Sequence, residues 1–152
     1  AFALIDIKKI KLKLKIKRVY MKLKNMRKYY IHEITKDLVK NNDLIVTEDL
    51  KVKNMIEEKR LSKYIANASF SEIIRVLKYK SEWSGKKLIK VNTFFPSSQI
   101  CHRCGFQNRK VKDLSIRIWE CEECGCKNDR DINSSENILF EGVRLFYKSK
   151  YC

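Results

Sequence analysis

The sequence predicts an α/β fold interrupted by a small cysteine-rich insertion ahead of its last helix. Three observations predict it. Short strand-like segments alternate with stretches whose apolar residues recur every three or four positions. The segments run in the order strand, helix, strand, helix, strand, insertion, helix. Four cysteines arrive as two tight pairs between the last strand and the last helix.

The elements follow in turn. Ile10-Lys11-Leu12-Lys13-Leu14-Lys15-Ile16 alternates with period two and reads as the first strand. Val19, Leu23, Met26, Tyr30, Ile34 and Leu38 then recur at helical spacing, giving an amphipathic helix that ends near Asn41-Asn42. Leu44-Ile45-Val46-Thr47 reads as a short β-branched strand, central in its sheet, that delivers Glu48-Asp49-Leu50 at its C-terminal end. A charged segment, Lys51–Lys63, leads to a helix from Phe70 to Trp83 with Phe70, Ile73, Ile74 and Leu77 on one side, broken by Gly85. Lys86–Phe95 reads as another strand, closed by Pro96-Ser97-Ser98. Between Asp131 and Phe146, Ile132, Ile138, Leu139, Val143 and Phe146 mark the last helix.

The charge balance points to a partner. Thirty-four Lys and Arg face 18 Asp and Glu, a formal +16 with an isoelectric point near 9.7. Eleven of these cations lie between Lys8 and Lys28, with no acid among them. A polyanion exploits such a bias, since each neutralised phosphate releases counterions. A phosphate-backbone surface is therefore favoured over a merely solvated face or an acidic membrane surface. No apolar run approaches the length of a membrane span and no secretory signal is recognisable. An intracellular, cytoplasmic setting without membrane attachment is expected, and in that reducing compartment the six cysteines read as metal ligands before disulfides. The chain starts at Ala1, which suggests a fragment or a processed product.

Cys101-His102-Arg103-Cys104-Gly105 and Cys121-Glu122-Glu123-Cys124-Gly125 form a C-x2-C-x16-C-x2-C pattern. Two residues between thiolates let one knuckle bite a tetrahedral ion, and a glycine after each second cysteine permits the left-handed turn that aims amides at sulfur. A structural, closed zinc ribbon with ligands Cys101, Cys104, Cys121 and Cys124 is expected. The sixteen intervening residues suit a β-hairpin whose strand is Ser115–Glu120. Cys126 and Cys152 read as bystanders and His102 as an exposed residue.

The surroundings of these cysteines narrow the function. Ile45-Val46-Thr47-Glu48-Asp49-Leu50 with Lys53-Asn54-Met55, Tyr79–Gly85, Phe95-Pro96-Ser97-Ser98-Gln99-Ile100-Cys101 and Asp129-Arg130-Asp131-Ile132-Asn133-Ser134-Ser135-Glu136-Asn137-Ile138-Leu139 resemble, in order, four motifs of the TnpB-type, or OrfB, transposon proteins. The resemblance spans roughly residues 22 to 145; its one mild departure is Ser134-Ser135 where the family has a pair of alanines. It implies a partial RuvC-like RNase H fold with an inserted four-cysteine zinc ribbon, divided as nuclease core 1–95, ribbon 96–128 and C-terminal core helix 129–152. It further implies a transposase-class DNA endonuclease directed by a guide RNA, in which three carboxylates converge on two Mg2+ ions. By motif, Glu48 is the second carboxylate and Asp131 the third, with Asp49 and Asp129 as secondary neighbours. Asn133, Ser134, Ser135 and Asn137 are expected to pack and cap the start of the last helix.

The family's first carboxylate lies on an apolar Ile-Asp-Leu-Gly strand. Leu4-Ile5-Asp6-Ile7 resembles it superficially, but Lys8 replaces the glycine and too few residues remain before the basic helix for the strands an RNase H sheet needs. Asp6 is therefore not expected to serve, and the chain alone is expected to be truncated and inactive. The alternative is a non-catalytic zinc-ribbon module that binds nucleic acid through basic charge and interleaved aromatics: Tyr20, Tyr29, Tyr30, Phe94, Phe95, Phe106 and Trp119. Core packing is expected to claim most of those rings.

Overall fold

The computed structural model describes residues 7–57 and 69–151. Asp6 and Cys152 lie outside the described residues. The described elements are α1 (Ile7–Asn41), β1 (Leu44–Glu48), α2 (Val52–Glu57), α3 (Phe70–Trp83), β2 (Lys87–Val91), a 3-10 turn (Arg109–Lys112), β3 (Ile118–Glu120), β4 (Lys127–Asp129) and α4 (Arg130–Tyr151).

The expected first strand is not there. Ile10–Ile16 belongs to α1, which runs unbroken for 35 residues. Alternating Lys and Leu satisfy a strand template, yet both are strong helix formers, and α1 carries them with every side chain from Ile7 to Tyr30 exposed. Only further along does α1 bury a stripe, Ile31, Thr35 and Val39, where it packs on α3. There Thr35 donates to the Ile31 carbonyl at 2.6 Å, and Lys80 of α3 reaches the Thr35 hydroxyl at 3.0 Å.

β1 and β2 pair in parallel, with Leu44 opposite Lys87 and Glu48 opposite Val91, and α3 lies between them in the chain. β1 was expected to be central. Among the described residues it pairs with β2 alone and stays half-buried along its length. β2 stops at Val91, short of the expected Phe95, because Asn92 turns the chain: its carbonyl accepts the Phe95 amide and its side chain the Phe94 amide.

α4 lies against both strands. Its approach is closest at Gly142, where an added Cβ would sit 2.3 Å from Val46 Cγ1. Any larger residue would have to push the helix off β1. Val76, Leu77 and Val91 are buried around this layer, while a separate small core of Val111, Trp119, Cys101 and Cys121 fills the cysteine-rich insertion, flanked by Phe106 and Ile116.

Candidate functional site

The insertion is two copies of one turn. In the first, Cys101 N donates to Phe106 O at 2.9 Å and Gly105 N to Cys101 O at 2.8 Å. In the second, Cys121 N donates to Cys126 O at 2.9 Å and Gly125 N to Cys121 O at 2.9 Å. Gly105 and Gly125 adopt φ of 79° and 67°, the left-handed region that a side chain resists. Each knuckle is closed by antiparallel pairing, the first by the Ile100–Gln107 bridge and the second by β3 on β4, where Glu120 faces Lys127. The expected hairpin within the sixteen-residue interval is thus corrected: β3 pairs forward across the second knuckle, and the interval itself forms a 3-10 turn capped by Asn108. The reason is geometric, since each knuckle reverses the chain and aligns its own flanks.

The four sulfurs of Cys101, Cys104, Cys121 and Cys124 lie within 4.8 Å of one another, with Cys101–Cys124 at 3.7 Å and Cys104–Cys121 at 3.6 Å. Thiolates about 2.3 Å from a tetrahedral zinc sit about 3.8 Å apart, so the spacing suits a metal and is far too long for disulfides. Ionisation agrees. Burial opposes charge on Cys101, but the backbone amides of Cys104 and Arg103 bring its thiol down to about 6. The Cys126 amide favours the Cys124 thiolate, yet burial and the sulfurs of Cys104, Cys121 and Cys101 push that thiol up to about 12. Burial and mutual proximity oppose four thiolates at this distance, and a cation among them would relieve that opposition. Cys126 is half-buried beside the cluster and stays outside it, and His102 is exposed, as expected of both.

A polar network ties this cluster to the sheet. Asn133, only 1% exposed, accepts the His102 amide at 2.9 Å on its side-chain oxygen and donates to the Ile100 carbonyl at 2.7 Å. Asn137 donates to the Ile100 and Ser97 carbonyls at 2.6 and 2.8 Å. The Ser97 hydroxyl accepts from Ser134 at 2.7 Å and donates to Glu48 Oε1 at 3.2 Å. First knuckle, α4 and the end of β1 therefore share one chain of hydrogen bonds. Capping, which the sequence suggested for the Asn and Ser residues, falls instead to Asp129, whose Oδ1 accepts the amides of Asp131 and Ile132 at 2.9 and 3.1 Å. Asn133 and Asn137 clamp the insertion to α4. Ser97 contacts Glu48 although its place in the Pro96-Ser97-Ser98 turn carries no sequence signal of a carboxylate contact.

Asp131 lies two residues past the Asp129 cap. It is exposed, with Arg117 Nη1 3.4 Å from Oδ2. Asp49 is engaged by Lys51 at 2.7 Å and Lys90 at 3.3 Å, and the hydrogen bond from Lys51 chiefly holds its carboxyl below the ordinary range. A cavity of about 380 Å³ opens beside Glu48, with Asp49, Lys51, Phe70 and Lys90 on its walls. Among the described residues the cysteine cluster is the one group of three or more metal-type ligands; Glu48 and Asp131 belong to no such group. Of the aromatics, Trp119 is buried, but Tyr20, Tyr29, Tyr30 and Phe94 are exposed, contrary to the expectation that packing would claim most of them. No described helix is long and apolar enough to cross a membrane.

Comparison with known proteins agrees with this layout. Residues 6–59 match the OrfB_IS605 family profile, described as "Probable transposase", and residues 70–138 match the "Cas12f1-like, TNB domain" profile. A protein of Streptomyces pristinaespiralis named "Putative RNA-guided DNA endonuclease" is 36% identical over 129 residues, covering 85% of this chain and 32% of the relative. A TnpB-like protein of Acanthamoeba polyphaga mimivirus is 30% identical over 150 residues, covering 94% of this chain and 28% of the relative. The chain thus spans about a third of the length of the curated relatives it matches. Among solved structures, a chain from the cryo-EM Cas12f1–sgRNA–target DNA complex superposes with a TM-score of 0.63 over 86% of this chain and 38% of that one. At 21% identity, that likeness is one of fold.

Proposed function

The chain belongs to the TnpB/OrfB family of transposon proteins, and from that premise we propose that it is the C-terminal part of an RNA-guided DNA endonuclease of transposons. On this reading, β1, β2, α1, α3 and α4 are part of a RuvC-like core, and residues 96–128 are a zinc ribbon inserted before its last helix. Glu48 and Asp131 supply two of its three catalytic carboxylates. DNA and a guide RNA are its partners.

The observation that carries the proposal is the hydrogen-bonded path from Glu48 through Ser97 to Ser134, one helical turn beyond Asp131. It brings two carboxylate-bearing segments, more than eighty positions apart in sequence, to a common neighbourhood. The open cavity beside Glu48 leaves room for a substrate there. Zinc fits the thiolate cluster by sulfur spacing, and its role would be to hold the two knuckles of the insertion together, while Asn133 and Asn137 fasten the insertion to α4. Mg2+ is a different matter. A pair of these ions would supply water activation and stabilisation of the leaving oxygen, but among the described residues Glu48 and Asp131 without a third carboxylate do not fit such a pair. The 152-residue chain by itself is therefore expected to bind nucleic acid and leave it uncut.

A chimaera tests the proposal. Residues 44–138 of this chain replace the matching segment of the Streptomyces relative, and Mg2+-dependent cleavage of target DNA is measured with the relative's RNA. Cleavage is expected, lost in Glu48→Ala and in Asp131→Ala, and kept in Asp49→Ala. Full cleavage by the Glu48→Ala chimaera contradicts the assignment. The second reading, a non-catalytic nucleic-acid module, draws on the exposure of Asp131 and Phe94; it is favoured if the unmutated chimaera binds target DNA and leaves it uncut.

A further inference from the structure

The first two-thirds of α1 holds a row of exposed apolar side chains. Leu12, Ile16, Val19, Leu23, Met26 and Tyr30 follow one another at intervals of four, three, four, three and four. That is the repeat of a coiled-coil seam, which stays on one face of a helix for about three heptads. All six are exposed, from 47% at Ile16 to 65% at Tyr30. The next two positions of the repeat are Glu33 and Asp37, so the seam ends where α1 begins to pack on α3.

The flanks decide what can lie on it. Positions bordering the seam are Lys13, Lys15, Lys22 and Arg27, with Tyr20 and Tyr29 completing the set; none is acidic. A second copy of α1 would set cation against cation along both borders, in either orientation. A nucleic acid would satisfy the cations and leave six apolar side chains facing phosphate and water. An amphipathic helix with apolar seam residues and acidic borders satisfies both features at once.

We propose that α1 is a docking helix for an acidic amphipathic helix, seated along the Leu12–Tyr30 seam and held in register by the flanking lysines. The four border cations thus serve a protein partner, and the other seven of the basic run remain for the phosphate surface its charge suggested. This site is separate from the carboxylates and the cysteines, and stands or falls apart from the nuclease reading.

The test is calorimetric titration of the zinc-loaded full chain with three probes. They are a synthetic peptide of about four heptads with Leu at the seam and Glu at every border, the same peptide with Lys borders, and a short DNA duplex. Binding of the acidic peptide alone among the two peptides is expected, weakened roughly tenfold or more by Leu23→Asn, which places a polar group in the seam. Leu23 is 52% exposed, so circular dichroism of the variant is expected to match the parent. DNA affinity is expected to be unaffected by Leu23→Asn. Failure of the acidic peptide to bind, or binding insensitive to Leu23→Asn, overturns the proposal. So does loss of DNA affinity in that variant, which would make the seam a nucleic-acid surface, or a dimer of the chain that Leu23→Asn dissolves.

Discussion

Single residues set the contacts between the insertion and the sheet. Asn133 has its side-chain oxygen and amide both engaged, by the His102 amide and the Ile100 carbonyl, in a place where water cannot substitute. Asn133→Ala is expected to cost about 1–3 kcal/mol, from unsatisfied buried groups, read as a lower urea midpoint with an unchanged slope. Gly142→Ala is expected to destabilise by about 1–3 kcal/mol, since the new methyl meets Val46 at 2.3 Å; thermal unfolding measures it. The legibility of these residues differed for physical reasons. The cysteines were readable because ligand spacing is local and each knuckle needs only five consecutive residues. Gly142 was not, because a close approach between α4 and β1 exists only after the two meet. Ser97 was not, because serine in a turn looks the same whether it faces water or Glu48. The capping role went to Asp129 because helix starts are ambiguous where aspartates stand at positions 129 and 131.

Elements show where periodicity suffices and where it fails. α3 and α4 appear where their three-to-four spacing places them, but the buried residues are Val76, Leu77 and Ser81 of α3 and Asn133, Asn137 and Gly142 of α4, while Phe70, Ile132 and Leu139 of the expected apolar faces are exposed. The N-terminal half of α1 reads as a strand and folds as a helix because lysine at every second position fits two templates, and no packed face breaks the tie. β3 was found, but its partner was not, since pairing across a knuckle depends on the turn that the cysteines impose. That dependence yields a prediction. The chain is expected to bind one zinc, measured by metal analysis, and Cys101→Ser to lose it. Metal removal is expected to unprotect the amides of β3 and β4 while β1 and β2 keep theirs, in hydrogen exchange. The insertion's small core of Val111 and Trp119 is too slight to persist alone.

At the scale of the molecule, charge dominates. With +16 on 152 residues, binding to duplex DNA is expected to weaken by orders of magnitude between about 50 and 200 mM salt; fluorescence anisotropy across that range checks it, and a flat profile would argue against a phosphate-binding surface. The α/β class was legible because the order of strands and helices survives errors in any one of them. The family was legible because four motifs keep their order, and the profile matches at 6–59 and 70–138 bear it out. What the sequence could not supply is how the end of β1 approaches the start of α4 through Ser97, which follows from α4 lying on β1 and β2.

That approach can be measured without any cleavage. Mn2+ titrated into the isotopically labelled, zinc-loaded chain broadens the amide signals nearest to where it lodges. Signals around Glu48 and Asp131 are expected to fade together at the same Mn2+ concentration, and Glu48→Ala to spare both sets. Broadening around one of the two while the other stays sharp would contradict a shared carboxylate site.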